Sequence, residues 1–173
     1  MTRVLVSAAS RHGATAEIGE RIAANLRDCG IDAEFRPPDQ VQAASDYDAF
    51  VLGSGVYAGH WLPAAVDLCD RIGSDLAGRP VWLFSSGPVG PEDSKLVKKM
   101  WVDPVDLERV RERIGAAEHR MFAGKLVRAE LSRGQRAALF FFKRLAGDFR
   151  DWPAVQAWST EIASALRGAG VSR

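Results

Sequence analysis

Between an apolar run near the amino terminus and the first helical pattern lies a stretch of small and hydroxyl-bearing residues, Ser7-Ala-Ala-Ser-Arg-His-Gly-Ala-Thr15. Residues of these types can build an anion cradle. Gly13 lets the backbone approach closely, Ser10 and Thr15 offer hydroxyls, and a following helix presents unpaired N–H groups at the positive end of its dipole. A phosphate monoester suits such a cradle. The segment lacks the lysine of G-x-x-x-x-G-K-[ST] and the spacing of G-x-G-x-x-G, which weakens nucleoside triphosphate and dinucleotide readings. The alternative is an ordinary βα turn capped by a hydroxyl, since small polar residues suit any such turn.

Two more glycine-bearing segments follow, Gly53-Ser-Gly-Val-Tyr-Ala-Gly-His-Trp61 and Ser85-Ser-Gly-Pro-Val-Gly-Pro91. Each follows a β-rich run and reads as a loop at its carboxyl end. In an open parallel sheet, ligands bind at that edge beside a topological switch point, so three loops converge on one place. His60 could relay protons there, although loop histidines more often serve as structural hydrogen-bonders. Cys29 and Cys69, the only cysteines, fall outside any C-x-x-C pattern and read as small apolar packing residues rather than a disulfide or metal site.

These segments need a scaffold, and the alternation of short β-rich runs with helical patterns predicts βα units around a parallel sheet. Strands are expected at Val4–Ser7, Ala33–Arg36, Ala49–Gly53, Val81–Ser85 and His119–Phe122. Ile18, Ile22 and Leu26 recur at helical spacing before Gly30, which predicts a helix from Thr15 to Cys29. Pro63 and Pro104 suit first turns of two more helices, one running to Ile72 and one containing Leu107, Val110 and Ile114. A last helix, Pro153–Leu166, should bury Val155, Trp158, Ile162 and Leu166.

The chain of 173 residues, 47% apolar and 26% charged, reads as a single domain over 1–173 able to bury its own core. A net charge of +1 excludes the global field that recruits nucleic acid. Its charge is uneven, however: residues 125–150 carry seven Lys and Arg against Glu130 and Asp148, a net of +5 that leaves −4 on the rest. No apolar stretch approaches the length of a membrane span, and the amino-terminal apolar run is too short for a secretory signal, so a cytoplasmic location is expected.

The pattern S-x-x-G-x-T at Ser10, Gly13 and Thr15, the segment GSGVYAGHW at 53–61 and the run MFAGKLVRAELSRGQ at 121–135 carry a resemblance over nearly the whole chain. The chain resembles the flavodoxin-like branch that contains the quinone-dependent protoporphyrinogen IX dehydrogenases. That resemblance implies an α/β three-layer sandwich with a five-stranded parallel sheet of order 2-1-3-4-5, helices on both faces, and one non-covalent FMN. It places Ser10, Arg11, His12, Gly13, Ala14 and Thr15 around the phosphate. It sets Ser54, Gly55, Val56, Tyr57, Ala58 and Gly59, with Ser86, Gly87, Pro88, Val89 and Gly90, beside the isoalloxazine. There are departures. His12 stands where related chains carry threonine or aspartate, and the third loop lacks the aromatic that covers the outer flavin face in electron carriers, leaving that face open to a substrate. Tyr57 is the better ring contact; Trp61 either joins it or staples the next helix.

Residues 125–150 read as a basic-apolar insertion, with Leu139 to Phe142 set among Arg133, Arg136, Lys143 and Arg144. It is either an extra helix packed on the domain or a face for a membrane, a quinone, an anionic substrate or a protein redox partner. The expected function is an FMN-dependent oxidoreductase of the protoporphyrinogen dehydrogenase kind with a quinone acceptor; the alternatives are a flavodoxin-type electron carrier and a domain that has lost its flavin. No side chain need act as a nucleophile.

Overall fold

The computed structural model describes residues 2–87, 89–90, 95–116, 118–126 and 146–170. Pro88 and the Leu139–Phe142 run with the cations around it lie outside the described residues.

Strand β1 (Arg3–Ala9) sends Val4, Val6 and Ala8 to one side and Leu5 and Ala9 to the other, so both faces must be covered. Helix α1 (Ala14–Asp28) covers the first with Ile18, Ile22, Ala23 and Leu26. Beside it lies α5 (Trp152–Gly170), whose Val155, Trp158, Ile162 and Leu166 fall on one helical stripe and are buried. On the second face α2 (Pro63–Ile72) and α4 (Leu107–Ile114) contribute Leu68, Ile72, Leu107, Val110 and Ile114. Three layers result, with one apolar cluster on each face of the sheet.

The other strands are β2 (Asp32–Phe35), β3 (Ala49–Tyr57), β4 (His60–Trp61), β5 (Val81–Ser86) and β6 (Glu118–Phe122). The parallel order is β2-β1-β3-β5-β6, which is the anticipated 2-1-3-4-5 once the short β4, antiparallel to β3, is set aside. Helix α3 (Lys95–Met100) and the two-stranded ribbon β7 (Lys125–Leu126) and β8 (Gly147–Asp148) were not anticipated.

The main departure from expectation is at residues 53–61. They do not form a loop. Gly53, Ser54 and Gly55 stay in register with Phe84, Ser85 and Ser86 of β5, and β3 runs on to Tyr57. It turns at Ala58 (φ 51°) and Gly59 (φ 83°) and returns as β4, pairing Val56 with Trp61. Two consecutive positive φ values make the mirror-image turn that matches strand twist. Glycine's low strand propensity suggested a loop, and ladder pairing on both sides of β3 outweighed it.

Candidate functional site

The β1–α1 turn takes its shape from Gly13, whose φ of 80° few other residues adopt cheaply. Gly13 caps α1 through its backbone alone, its carbonyl accepting from Glu17 N–H at 2.9 Å. Ser10 Oγ accepts the Thr15 N–H at 3.2 Å, which folds the turn back on itself. That takes one first-turn N–H; the others lack intrahelical partners at the positive end of the helix dipole.

Where the turn meets the ends of β3 and β5, a cavity of about 230 Å³ opens. Its lining brings together Ser10, His12, Ala14 and Thr15 of the first segment, Val56, Tyr57 and Ala58 of the second, and Ser86, Gly87 and Val89 of the third. Contact between the segments is close: a Cβ placed on Gly55 would stand 3.1 Å from Thr15 Oγ1. Beyond a shared ridge of Val56, Ala58 and Gly87, a second cavity of about 380 Å³ continues between the β3–β4 hairpin and Lys99, Val102, Asp103, Val105 and Met121. A hollow of about 490 Å³ on the other flank of the β1–α1 turn is reached by only the first of the three segments.

Several expected residues stand elsewhere. Arg11 and Gly13 line that outer hollow, and the Arg11 guanidinium lies 4.5 Å over the Tyr57 ring rather than in the 230 Å³ cavity. Ser54 is fully buried, donating to the Gly55 carbonyl and accepting the Leu62 N–H, and so serves the strand rather than the lining. Gly59 borders the 380 Å³ cavity, and Gly90 is buried at φ 117°.

Trp61 is buried in the apolar cluster that includes Ala65 and Leu68 of α2, and donates from Nε1 to Ser85 Oγ at 2.8 Å. Ser85 Oγ meets His119 Nε2 at 2.8 Å, and His119 Nδ1 meets Asp103 Oδ1 at 3.2 Å. The Asp103 carboxylate can only accept, so Nδ1 carries the proton, and in the neutral ring Nε2 accepts the Ser85 hydroxyl. Burial pushes the His119 pKa down, against the pull of Asp103, and the neutral ring is retained. The contacts match those of a hydrolytic triad, yet Ser85 is wholly buried and already bonded, so this chain is a brace behind the β3 and β5 walls. His60 likewise makes a structural contact, Nδ1 to Asp106 Oδ2 at 3.1 Å, beside the Trp61 N–H on the same oxygen at 3.0 Å.

Four charged residues meet at the amino end of α1. Arg150 reaches back across 133 positions to Glu17 Oε2 at 2.6 Å, and grips Asp148 at 2.8 and 2.7 Å while stacking 4.5 Å over Trp152. The guanidinium holds the Asp148 carboxyl below its ordinary pKa, and the two carboxylates raise that of Arg150. Lys125 Nζ lies 3.8 Å from Glu17 Oε1, and Lys125 lines the 230 Å³ cavity with Gly124 and Leu126. Sequence reading missed this cluster as part of the site. The excess of cations in 125–150 was a visible signal, but it pointed to a partner rather than back to α1.

Among the described residues no group of His, Cys, Asp and Glu is placed to hold a metal ion, and no helix is long and apolar enough to cross a membrane. Cys69 is buried with its thiol pushed up to about 12, which leaves it inert. The donor set is hydroxyls, helix-end amides and a nearby ammonium at one end, with an aromatic and small apolar walls at the other. It fits a phosphorylated planar ligand.

The flavodoxin domain family matches residues 5–152. No curated protein matches the chain by sequence. Among solved structures, a flavodoxin from the domain Archaea superposes with a TM-score of 0.63 at 13% identity, covering 96% of this chain and 99% of that one. Oxidised flavodoxin 1 from Bacillus cereus gives 0.61 at 18% identity, over 94% and 98%. The rubredoxin oxygen:oxidoreductase of Desulfovibrio gigas gives 0.64 at 16% identity; 97% of this chain is covered but only 37% of that one, so this chain spans about a third of its length. At these identities the likeness is one of fold.

Proposed function

The chain belongs to the flavodoxin domain family, and from that premise we propose that it binds one FMN non-covalently and works as an FMN-dependent oxidoreductase. The observation that carries this is the meeting of three segments, from the ends of β1, β3 and β5, on one cavity. Ser10, His12, Ala14 and Thr15 would take the phosphate, with Gly13 shaping the turn; Val56, Tyr57, Ala58, Ser86, Gly87 and Val89 would border the ring. FMN, when bound, supplies two-electron chemistry, and the chain orients it and limits its contact with water. The resemblance in the 53–61 and 121–135 segments supports a protoporphyrinogen-type donor and a quinone acceptor, with the basic-apolar stretch between Lys125 and Arg150 engaging the partner or membrane.

A second reading, electron transfer to a protein partner, is favoured by one feature. Trp101, Val102 and Val105 are exposed by 40%, 64% and 72%, and the Val105 N–H donates to the Gly59 carbonyl at 2.9 Å, which sets this apolar rim against the hairpin. Absorption spectroscopy of purified protein tests the cofactor. A flavin spectrum, or its appearance on titration with FMN, is expected; a colourless protein that takes up no FMN, or one preferring FAD, overturns it. Anaerobic mixing of the loaded protein with protoporphyrinogen IX, then a naphthoquinone, tests the reaction: bleaching of the oxidised flavin's visible band followed by its recovery supports the enzyme reading.

A further inference from the structure

Glu17 puts a carboxylate at the mouth of the β1–α1 turn, its Oε1 4.0 Å from where a Cβ on Gly13 would lie. Such a carboxylate suits the positive end of the helix dipole, but it opposes a second anion in the same place. Two cations answer it, and they are not equivalent. Arg150 is only 4% exposed, its nitrogens are engaged by Glu17, the Ala14 carbonyl and Asp148, and its plane is stacked on Trp152. Turning it toward a ligand would give up all of these bonds and the stacking together. Lys125 is 29% exposed, its contact with Glu17 is loose at 3.8 Å, and it lines the cavity beside Ser10, His12, Ala14 and Thr15. An ammonium on a flexible stem can turn from one anion to another without losing a fixed geometry. Arg11, the cation nearest in sequence, is laid over Tyr57 instead.

We propose that Lys125 reads the phosphate end of the bound flavin, giving this chain its selectivity for FMN over riboflavin, while Glu17 is the opposing charge that sets how strong the selectivity is. Arg150 is the clamp that keeps Glu17 in place. This rests on the FMN reading above and concerns how that same site chooses its ligand.

The test is titration of apoprotein with FMN and, separately, with riboflavin, followed by quenching of flavin fluorescence at low and moderate salt. In Lys125→Met, which keeps the aliphatic stem, FMN should weaken about tenfold, the scale of one charged contact at a partly exposed site. Riboflavin should change by less than about twofold, and the salt dependence of FMN binding should flatten. Lys125→Arg should restore the preference for FMN, and Glu17→Gln should tighten FMN without touching riboflavin. Equal losses for both flavins in Lys125→Met, unchanged FMN affinity, or a Glu17→Gln variant that weakens FMN alone would each overturn the proposal while leaving the FMN reading intact. Wild-type protein that takes up neither flavin overturns both.

Discussion

At the phosphate end of the site one backbone turn does most of the positioning, whereas at the ring end the walls stand because strands pair and a hydrogen-bond chain running from buried Trp61 to surface Asp103 braces them. The turn needs Gly13 at φ 80° and the Ser10–Thr15 bond, all within a few residues. The hairpin wall needs the register of β3 with β5 and the Trp61–Ser85–His119–Asp103 chain, drawn from four distant parts of the sequence. Their charge balance differs as well. The phosphate end gathers Glu17, Lys125, Asp148 and Arg150, while the inner walls of the ring end are uncharged. A local device should therefore fail all at once when its key residue changes, and a braced one should weaken by degrees.

The largest effect is expected at Gly13. In Gly13→Val a β-branched side chain must adopt positive φ, at roughly 1–2 kcal/mol, and relief of that strain would reshape the turn that holds Ser10 and Thr15 together. A Cβ at this position has only Glu17 near it, so the fold has room and the domain should survive with a modestly lower Tm. FMN affinity should fall by more than about a hundredfold. Unchanged affinity in a folded variant would break the contrast, because the phosphate would then sit away from the turn.

The same contrast explains what could be read in advance. The five parallel strands, helices α1, α2, α4 and α5 and the Gly13 turn were legible because apolar periodicity and local glycine and proline signals spell them out, and the sheet order followed from the family resemblance. The hairpin was not, because Gly53, Ser54 and Gly55 have poor strand propensity and are held by ladders to β1 and β5. Nor were the roles of Lys125 and Arg150, since nothing in a +5 stretch says which of its cations folds back onto α1. Trp61 had two readings, and its bond to Ser85 favours the structural one.

A smaller, graded effect is expected from the brace. Burial, with Arg111 nearby, lowers the His119 pKa from 6.5, and Asp103 only partly offsets it. The unfolded chain then takes up this proton before the folded one, so stability is full above about 6.5 and declines as pH falls through that value. Thermal melts of apoprotein should show Tm falling on acidification, with a shallower slope in His119→Gln, which has no titrating ring. Identical slopes would mean that the brace carries no such linkage. Because His119 and Ser85 lie behind the wall, FMN selectivity against riboflavin should be unchanged in the variant.

The smallest effect is expected at Arg11, the residue that joins the two ends. It belongs to the phosphate segment by sequence, but its guanidinium lies 4.5 Å over the Tyr57 ring and lines the outer hollow. If it served the phosphate, Arg11→Gln would weaken FMN as Lys125→Met does. Its observed position predicts otherwise: the stacking is a cation–π contact at an exposed side chain, about 0.5–1 kcal/mol, and it occupies aromatic surface that a flavin ring could use. Removing it exchanges a weak contact for freer access to Tyr57. FMN and riboflavin should therefore tighten together by up to about threefold, a change of less than about 1 kcal/mol, with Tm slightly lowered. Selective weakening of FMN would move Arg11 back to the phosphate and put a second cation beside Lys125, and the division between a locally built end and a braced one would lose its simplest bridge.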